Sequence, residues 1–406
     1  MNRSYYKKQQ EEILQKYGQF RSPLHILDQV QETHFIVPAD NLSLIEKAVQ
    51  RGCSQSEELL ERYDIGISDL AKTLDCESET ITSIIKLNFY PDVILLDAED
   101  ATSLKEENIL NARKNIIATL NNRNQFQSRI YFRPSGLDLE YCIDDILEIL
   151  TNLHLNENGS YPLDGMIFPK VESAEEISFI SQILSDMENK AGLMQNTIKL
   201  QFLVESARAV ESIYEIACAC RDRLSGIIFG MADYAADTGV SSLEESHPLF
   251  QYARLRIINV CAAVGIPSID CMSFTYPVAD KNLDKPQNKI LLLKKMKEVY
   301  EITMNSISLG MKGKWVGHPL QLLAAKIAYE TYFSQQRLQI QLEKLKLYSR
   351  SSTGAGIIHN DMADRATDRS VREFLRRAVI RKKLSAEEAF NLSIITNDEF
   401  HILNKR

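Results

Sequence analysis

Eight short β-branched and apolar runs, with helical patterns between them, constrain this chain more than any other feature. They are His34–Val37, Val93–Leu96, Arg129–Phe132, Gly165–Phe168, Leu200–Val204, Gly226–Phe229, Pro267–Ile269 and Lys314–Val316. Strands alternating with helices pair in parallel through right-handed crossovers, and eight such units predict an α/β fold, a closed (β/α)8 TIM barrel. The helical pattern Ser173–Asn189 opens with the capping box Ser173-Ala-Glu-Glu176, and Ala209–Arg223 carries apolar residues at helical spacing. A barrel of this kind takes about 250 residues before insertions. The 406 residues present therefore leave room for additions.

The expected division is an N-terminal helical extension over 1–33, the barrel over 34–325, and a C-terminal helical lid or arm over 326–406. Gly52–Leu87 reads as a helical insertion after the first strand, sitting at the barrel mouth. Leu320–Tyr348 reads as one long amphipathic helix, followed by the Ser/Gly-rich link Ser349–Gly356 and a basic helical tail with a second capping box, Ser385-Ala-Glu-Glu388. The cluster Arg376–Lys383 in that tail reads as a solvated helix face.

Charge narrows the partners. A formal net charge of -8 argues against a nucleic-acid surface, which is normally strongly basic. A small molecule is the better expectation. No apolar run approaches the roughly 20 residues that cross a bilayer, and the polar start is unlike a signal peptide, so no membrane contact and a cytoplasmic location are expected. The seven cysteines are scattered, and Cys218 and Cys220 point to different helix faces, so neither a zinc site nor a disulfide framework follows.

In such a barrel the C-terminal ends of all strands open on one face, where the active site is built. Directly after the strands come Asp97, Glu99 and Asp100, then Arg133, Lys170 and Glu172, Glu205, Asp233, Asp270 and His318. Two segments stand out: Phe202-Leu-Val-Glu205, a strand ending in a carboxylate, and Phe229-Gly-Met-Ala-Asp233, a strand running into a Gly-led loop. If these strands are neighbours, Glu205 and Asp233 share the mouth, and their repulsion calls for a cation or a shared proton. A hard divalent ion held by one or two carboxylates, with water and substrate oxygens completing the sphere, is the magnesium arrangement. His318 reads equally as a structural hydrogen-bonding histidine, and Trp315 reads as core.

These motifs, in order, carry a resemblance. Phe35-Ile-Val-Pro38, Leu95-Leu-Asp-Ala-Glu-Asp100, Phe132-Arg133-Pro, Phe168-Pro-Lys-Val-Glu-Ser-Ala-Glu175, the two carboxylate segments, Ala253-Arg254-Leu-Arg256 with Gly265-Ile-Pro-Ser-Ile-Asp270, and Gly313-Lys-Trp-Val-Gly-His318-Pro319 span roughly residues 34–325. Together they resemble the HpcH/HpaI aldolase and citrate lyase family, on its citrate lyase β subunit, malyl-CoA lyase and citramalyl-CoA lyase branch. The resemblance implies Mg2+ held by Glu205 and Asp233, with Arg133 binding substrate oxygens and Glu99 and Asp100 close to the metal's water shell. Lys170 corresponds to the family's Pro-Lys-Val-Glu run. The segment Gly356–Asp364 resembles a C-terminal run whose aspartate, here Asp364, serves as acid or base in a neighbouring subunit's barrel.

The implied reaction is retro-aldol/Claisen cleavage or formation of a β-hydroxyacyl thioester such as malyl-, citramalyl- or citryl-CoA, in a homo-oligomer, a trimer or hexamer. Where the family has a Gly-Ser-Arg turn contacting the carrier, this chain has Ala39-Asp40-Asn41. Coenzyme A, a carrier protein or a free acid stay open at this point. A class II aldolase acting on free 2-oxo-4-hydroxy acids and a non-catalytic barrel subunit are the competing readings; the second predicts loss of a metal ligand, and both are present.

Overall fold

The structure is a computed structural model that describes residues 3–18, 24–52, 54–86, 89–100, 102, 105–123, 127–350, 356–358, 361–363 and 365–404. Eight parallel strands close a barrel in sequence order: β1 Thr33–Pro38, β2 Val93–Asp97, β3 Arg129–Arg133, β4 Gly165–Phe168, β5 Lys199–Val204, β6 Leu224–Phe229, β7 Ser268–Asp270 and β8 Gly313–Val316. β8 pairs back to β1, with His34 opposite Trp315. The expected eight strands are all there, their ends moved by at most two residues.

Alternation along each strand builds two cores. Val93, Leu95, Tyr131, Ile167, Leu203, Ile228, Ile269 and Trp315 form one buried cluster, the barrel interior. Residues of the other parity, among them Ile94, Phe132, Phe168, Phe202 and Phe229, join the helices in the largest cluster. Strands buried on both faces read as continuous apolar runs, which is why they were legible. Helix ends follow local chemistry as well. The Ser173 hydroxyl accepts from Glu176 N–H and Ser385 from Glu388 N–H. At the first site the Glu176 carboxylate returns to Glu172 N–H rather than to the serine.

The helical insertion is present as Ser54–Arg62, Ile67–Leu74 and Ser78–Lys86. Its Leu60, Leu70, Leu74, Ile81 and Ile84 pack with Leu292, Met296, Leu323 and Ile327 of the helices Lys285–Leu309 and Pro319–Tyr332, on the outside of the barrel. Apolar spacing gave the helices; it did not say which layer would cover them.

The long C-terminal helix also divides, into Pro319–Tyr332 and Gln335–Arg350. Buried Phe333 turns into a third cluster with Leu338, Leu342, Val371 and Leu375, and the Ser334 hydroxyl accepts from Arg337 N–H, starting the second helix. A two-stranded antiparallel sheet, β9 Gly356–Ile358 and β10 Asp361–Ala363, precedes the helix Arg365–Ile380. That helix docks at the end of the barrel opposite the mouth, where Arg381 pairs with Glu32 and Glu330, and Glu373 with Lys312. The basic cluster is therefore an ion-paired inner face rather than a solvated one: Arg376 holds Glu399, Arg377 reaches Glu32, and Lys383 holds Glu330. Among the described residues no helix is long and apolar enough to cross a membrane.

Candidate active site

Strand parity carries polar residues into the mouth. Asp97, Arg133 and Glu205 continue the inward series of Leu95, Tyr131 and Leu203, and the β2–β3 register sets Asp97 directly opposite Arg133. The Arg133 guanidinium grips Asp97 with two hydrogen bonds, Nε to Oδ1 at 2.6 Å and Nη2 to Oδ2 at 2.8 Å. Its Nη1 lies 2.7 Å from Glu99 Oε2 and 3.5 Å from Asp100 Oδ2. The guanidinium also lies 5.4 Å from the centre of the Trp315 ring. This fork, expected to bind substrate, is largely committed within the protein.

Glu205, one residue beyond β5, is buried. Its Oε2 accepts a 2.8 Å hydrogen bond from Lys170 N–H. Lys170 adopts a left-handed backbone, φ 50°, which aims that N–H at the carboxylate. Its side chain turns the other way, with Nζ 2.9 Å from Glu99 Oε1 and 3.8 Å from Asp100 Oδ1. Gly230, between β6 and the helix Met231–Thr238, completes the cradle: a Cβ there would lie 2.3 Å from Glu205 Cγ and 2.6 Å from Oε1. Only glycine lets the carboxylate sit where it does. Asp233 stands in the first turn of that helix.

These carboxylates are held uncomfortably. Burial pushes Glu205 up to about 8 against the opposing pull of Arg133, with Glu99 and Asp233 adding repulsion. Burial likewise pushes Glu99 up to about 7, again against Arg133, and raises Asp233, where Asp100 adds to the effect. Asp97, Glu99, Asp100, Glu205 and Asp233 converge on two cations, Arg133 and Lys170. The donor set is all oxygen and acid-rich, with a glycine clearing space beside Glu205, and it fits a hard divalent cation. A cavity of about 270 Å³ opens onto this pole, lined by Asp100, Arg133, Glu205 and Asp233 and by an apolar remainder that includes Ile36, Leu203, Met272 and Trp315.

A second acidic group answers differently. Glu245, Asp270 and Cys271 offer ligand atoms within 4.8 Å of one another. Asp270, however, is already bound by Arg254 Nε at 2.7 Å, Lys314 Nζ at 2.8 Å and the Ser306 hydroxyl at 2.5 Å. Its charge is compensated, and it does not fit a metal.

The structure thus brings Arg133, Lys170, Glu99, Asp100, Glu205 and Asp233 together. Asp270, expected at the mouth, is not among them, because it has the opposite parity to inward Ile269 and faces the outer helices. Glu172 is turned to the surface, 4.0 Å from Arg208. His318 caps the helix Pro319–Tyr332, its Nδ1 accepting from Leu320 N–H, and burial pushes it down to about 4. Asp364 lies outside the described residues. Sequence reasoning missed three contributors: Asp97 as the anchor of Arg133, Gly230 as the space for Glu205, and the apolar wall. The first was signalled by two adjacent strands ending in opposite charges. The second was signalled by a glycine directly after a strand.

The family model HpcH/HpaI aldolase/citrate lyase matches residues 77–290. An L-malyl-CoA/beta-methylmalyl-CoA lyase of Rhodobacter capsulatus is 26% identical over 311 residues, covering 72% of this chain and 88% of its own. A citrate lyase subunit beta of Leuconostoc mesenteroides subsp. cremoris is 26% identical over 278 residues, 68% of this chain and 82% of its own. The crystal structure of protein CitE from Mycobacterium tuberculosis, in complex with magnesium, acetoacetate and coenzyme A, shares the fold at TM-score 0.55 and 20% identity, over 86% of this chain and 99% of that one.

Proposed function

Because this chain belongs to the HpcH/HpaI aldolase/citrate lyase family, we propose that it is a magnesium-dependent carbon–carbon lyase that cleaves a β-hydroxyacyl thioester to an acyl thioester and a 2-oxo acid. The observation that carries the reading is the buried excess of carboxylate at the mouth, centred on Glu205. Glu205 and Asp233 would hold the ion. When bound, Mg2+ supplies Lewis-acid polarisation of substrate oxygens and a template for their orientation.

The chain's own residues do the rest. In the cleavage direction the hydroxyl proton leaves to a base and the carbinol carbon becomes the keto carbon of the 2-oxo acid. The electron pair of the breaking bond passes to the carbon beside the thioester, which then takes up a proton. Arg133, fixed by Asp97, and Lys170 place positive charge beside the developing enolate without reorganising, a contribution typically worth several kcal/mol of barrier. The apolar wall excludes water from that carbanionic carbon. Glu205 and Asp233 being occupied, the base is assigned to Asp364 of a neighbouring subunit in a homo-oligomer; the support is the resemblance of its segment. Coenzyme A as the carrier is supported by the names of the relatives.

Malyl-, citramalyl- and citryl-CoA should be offered to the purified protein with Mg2+ or with EDTA, and the 2-oxo acid trapped as its hydrazone. Cleavage of at least one, lost in EDTA and restored by Mg2+, is expected. No cleavage of any, or cleavage indifferent to EDTA, would contradict the reading.

A further inference from the structure

We infer that Lys170 makes this a one-ion site: its ammonium occupies, between Glu99 and Asp100, the place that a second divalent cation would otherwise take. The inference rests on the magnesium reading above and concerns how many ions the mouth holds and which residue decides it.

The five carboxylates at the mouth fall into two sets. On the β2 side stand Asp97, Glu99 and Asp100; on the β5 and β6 side stand Glu205 and Asp233. Both cations turn to the first set. Arg133 grips Asp97 with two hydrogen bonds and sets Nη1 2.7 Å from Glu99 Oε2. Lys170 sets Nζ 2.9 Å from the other Glu99 oxygen, Oε1, and 3.8 Å from Asp100 Oδ1. Each oxygen of buried Glu99 is thus matched to one cation. Glu205 receives the lysine's backbone N–H instead, a donor without formal charge.

One residue serves both sets because of its backbone. At φ 50° Lys170 lies in the left-handed region, uncommon for a residue with a side chain, and its N–H and its ammonium leave in different directions. The stem passes Gly136, where a Cβ would meet Lys170 Cδ at 3.5 Å. Burial works against the ammonium, but the Glu99 carboxylate outweighs it and holds the lysine above its usual value. It stays a cation at neutral pH.

Charge then decides the count. Five carboxylates against Arg133 and Lys170 leave a formal surplus of three negative charges, which one divalent ion reduces and two would overshoot. Without the ammonium the surplus is four, and Glu99 Oε1 and Asp100 Oδ1 lose the cation beside them. Two such oxygens, completed by water, are a set that a hard divalent ion accepts. A pair of ions clamping substrate oxygens is a different arrangement from a single ion acting as template. Lys170 keeps the mouth to the ion at Glu205 and Asp233, and in this role it is a positioning residue.

The test counts bound ions. Mn2+, whose electron spin distinguishes free from bound ion, is titrated into the metal-free full chain well beyond the wild-type midpoint. The wild type should bind one ion per chain, Lys170→Met two, and Lys170→Arg, which restores the charge, one. Adding Glu99→Gln to Lys170→Met should remove the second ion and keep the first, which a mere loosening of the fold does not do. Two ions in the wild type or in Lys170→Arg, or fewer than two in Lys170→Met, overturns the inference and leaves the lyase reading standing; so does a second ion that survives Glu99→Gln. No ion in the wild type overturns the magnesium reading and this inference with it. If Lys170→Met does not fold, Lys170→Gly, in which the left-handed backbone is relaxed, carries the same count.

Discussion

Two buried carboxylate clusters, built from the same residue types at the ends of neighbouring strands, behave in opposite ways. Around Asp270, Arg254 and Lys314 supply two cations on the outer face; burial alone would raise this acid, but their attraction holds it well below the usual carboxylate range. Around Glu205 the same burial wins, because Arg133 is shared among Asp97, Glu99 and Asp100, and the Lys170 ammonium is turned to Glu99 and Asp100. The difference is one residue of parity: Asp270 follows inward Ile269, whereas Glu205 continues the inward series after Leu203. A compensated buried acid is structural. An uncompensated one at the barrel mouth is the site we propose for the cation.

The comparison can be broken by exchanging charge for shape at each cluster. Glu205→Gln or Asp233→Asn should lower kcat by about a thousandfold or more, the scale of losing preorganised charge stabilisation. Neither should lower the melting temperature of the metal-free protein, since each relieves like-charge repulsion. Asp270→Asn should do the reverse: it leaves the buried Arg254 and Lys314 with Glu245 as their remaining carboxylate, a loss of up to about 3–5 kcal/mol seen as a fall in Tm. A catalytic defect at unchanged Tm in Asp270→Asn would erase the distinction. Arg133→Lys keeps charge but loses the fork on Asp97, and a fall of about tenfold in kcat/KM, near 1.4 kcal/mol, is expected.

The smallest effect is the pH dependence. The folded protein holds Glu205 protonated up to about 8, whereas the ordinary value is 4.5. Between those limits the unfolded chain binds fewer protons than the folded one, so metal-free stability should decline as pH rises from about 4.5 towards 8. Melting temperatures in EDTA across that window should show the decline in the wild type and less of it in Glu205→Gln. Equal slopes would mean that Glu205 is not the strained group.

Much of this was legible in the sequence. Both-sided burial made the eight strands continuous apolar runs, and the polar residues that follow seven of them supplied the candidates from which Glu99, Asp100, Arg133, Lys170, Glu205 and Asp233 come together. What was not legible depended on contacts distant in the chain. Nothing local says that Arg254, sixteen positions before Asp270, will reach it from a helix, or that Asp97 will claim the Arg133 fork from the next strand. The break at Phe333 and the docking of Arg376–Lys383 on Glu32 and Glu330 likewise answer to a third apolar cluster that periodicity alone did not separate from the second.

Whether the Glu205–Asp233 cluster lacks a divalent cation's worth of positive charge can be read with magnesium itself. Titrating MgCl2 into the full chain near pH 7.5 and following Tm reports binding without reference to turnover, since a ligand of the folded state stabilises it by mass action. The wild type should show a saturable rise, and the rise should be lost in Asp233→Asn and Glu205→Gln. A rise of the same size and midpoint in both variants would show that it does not.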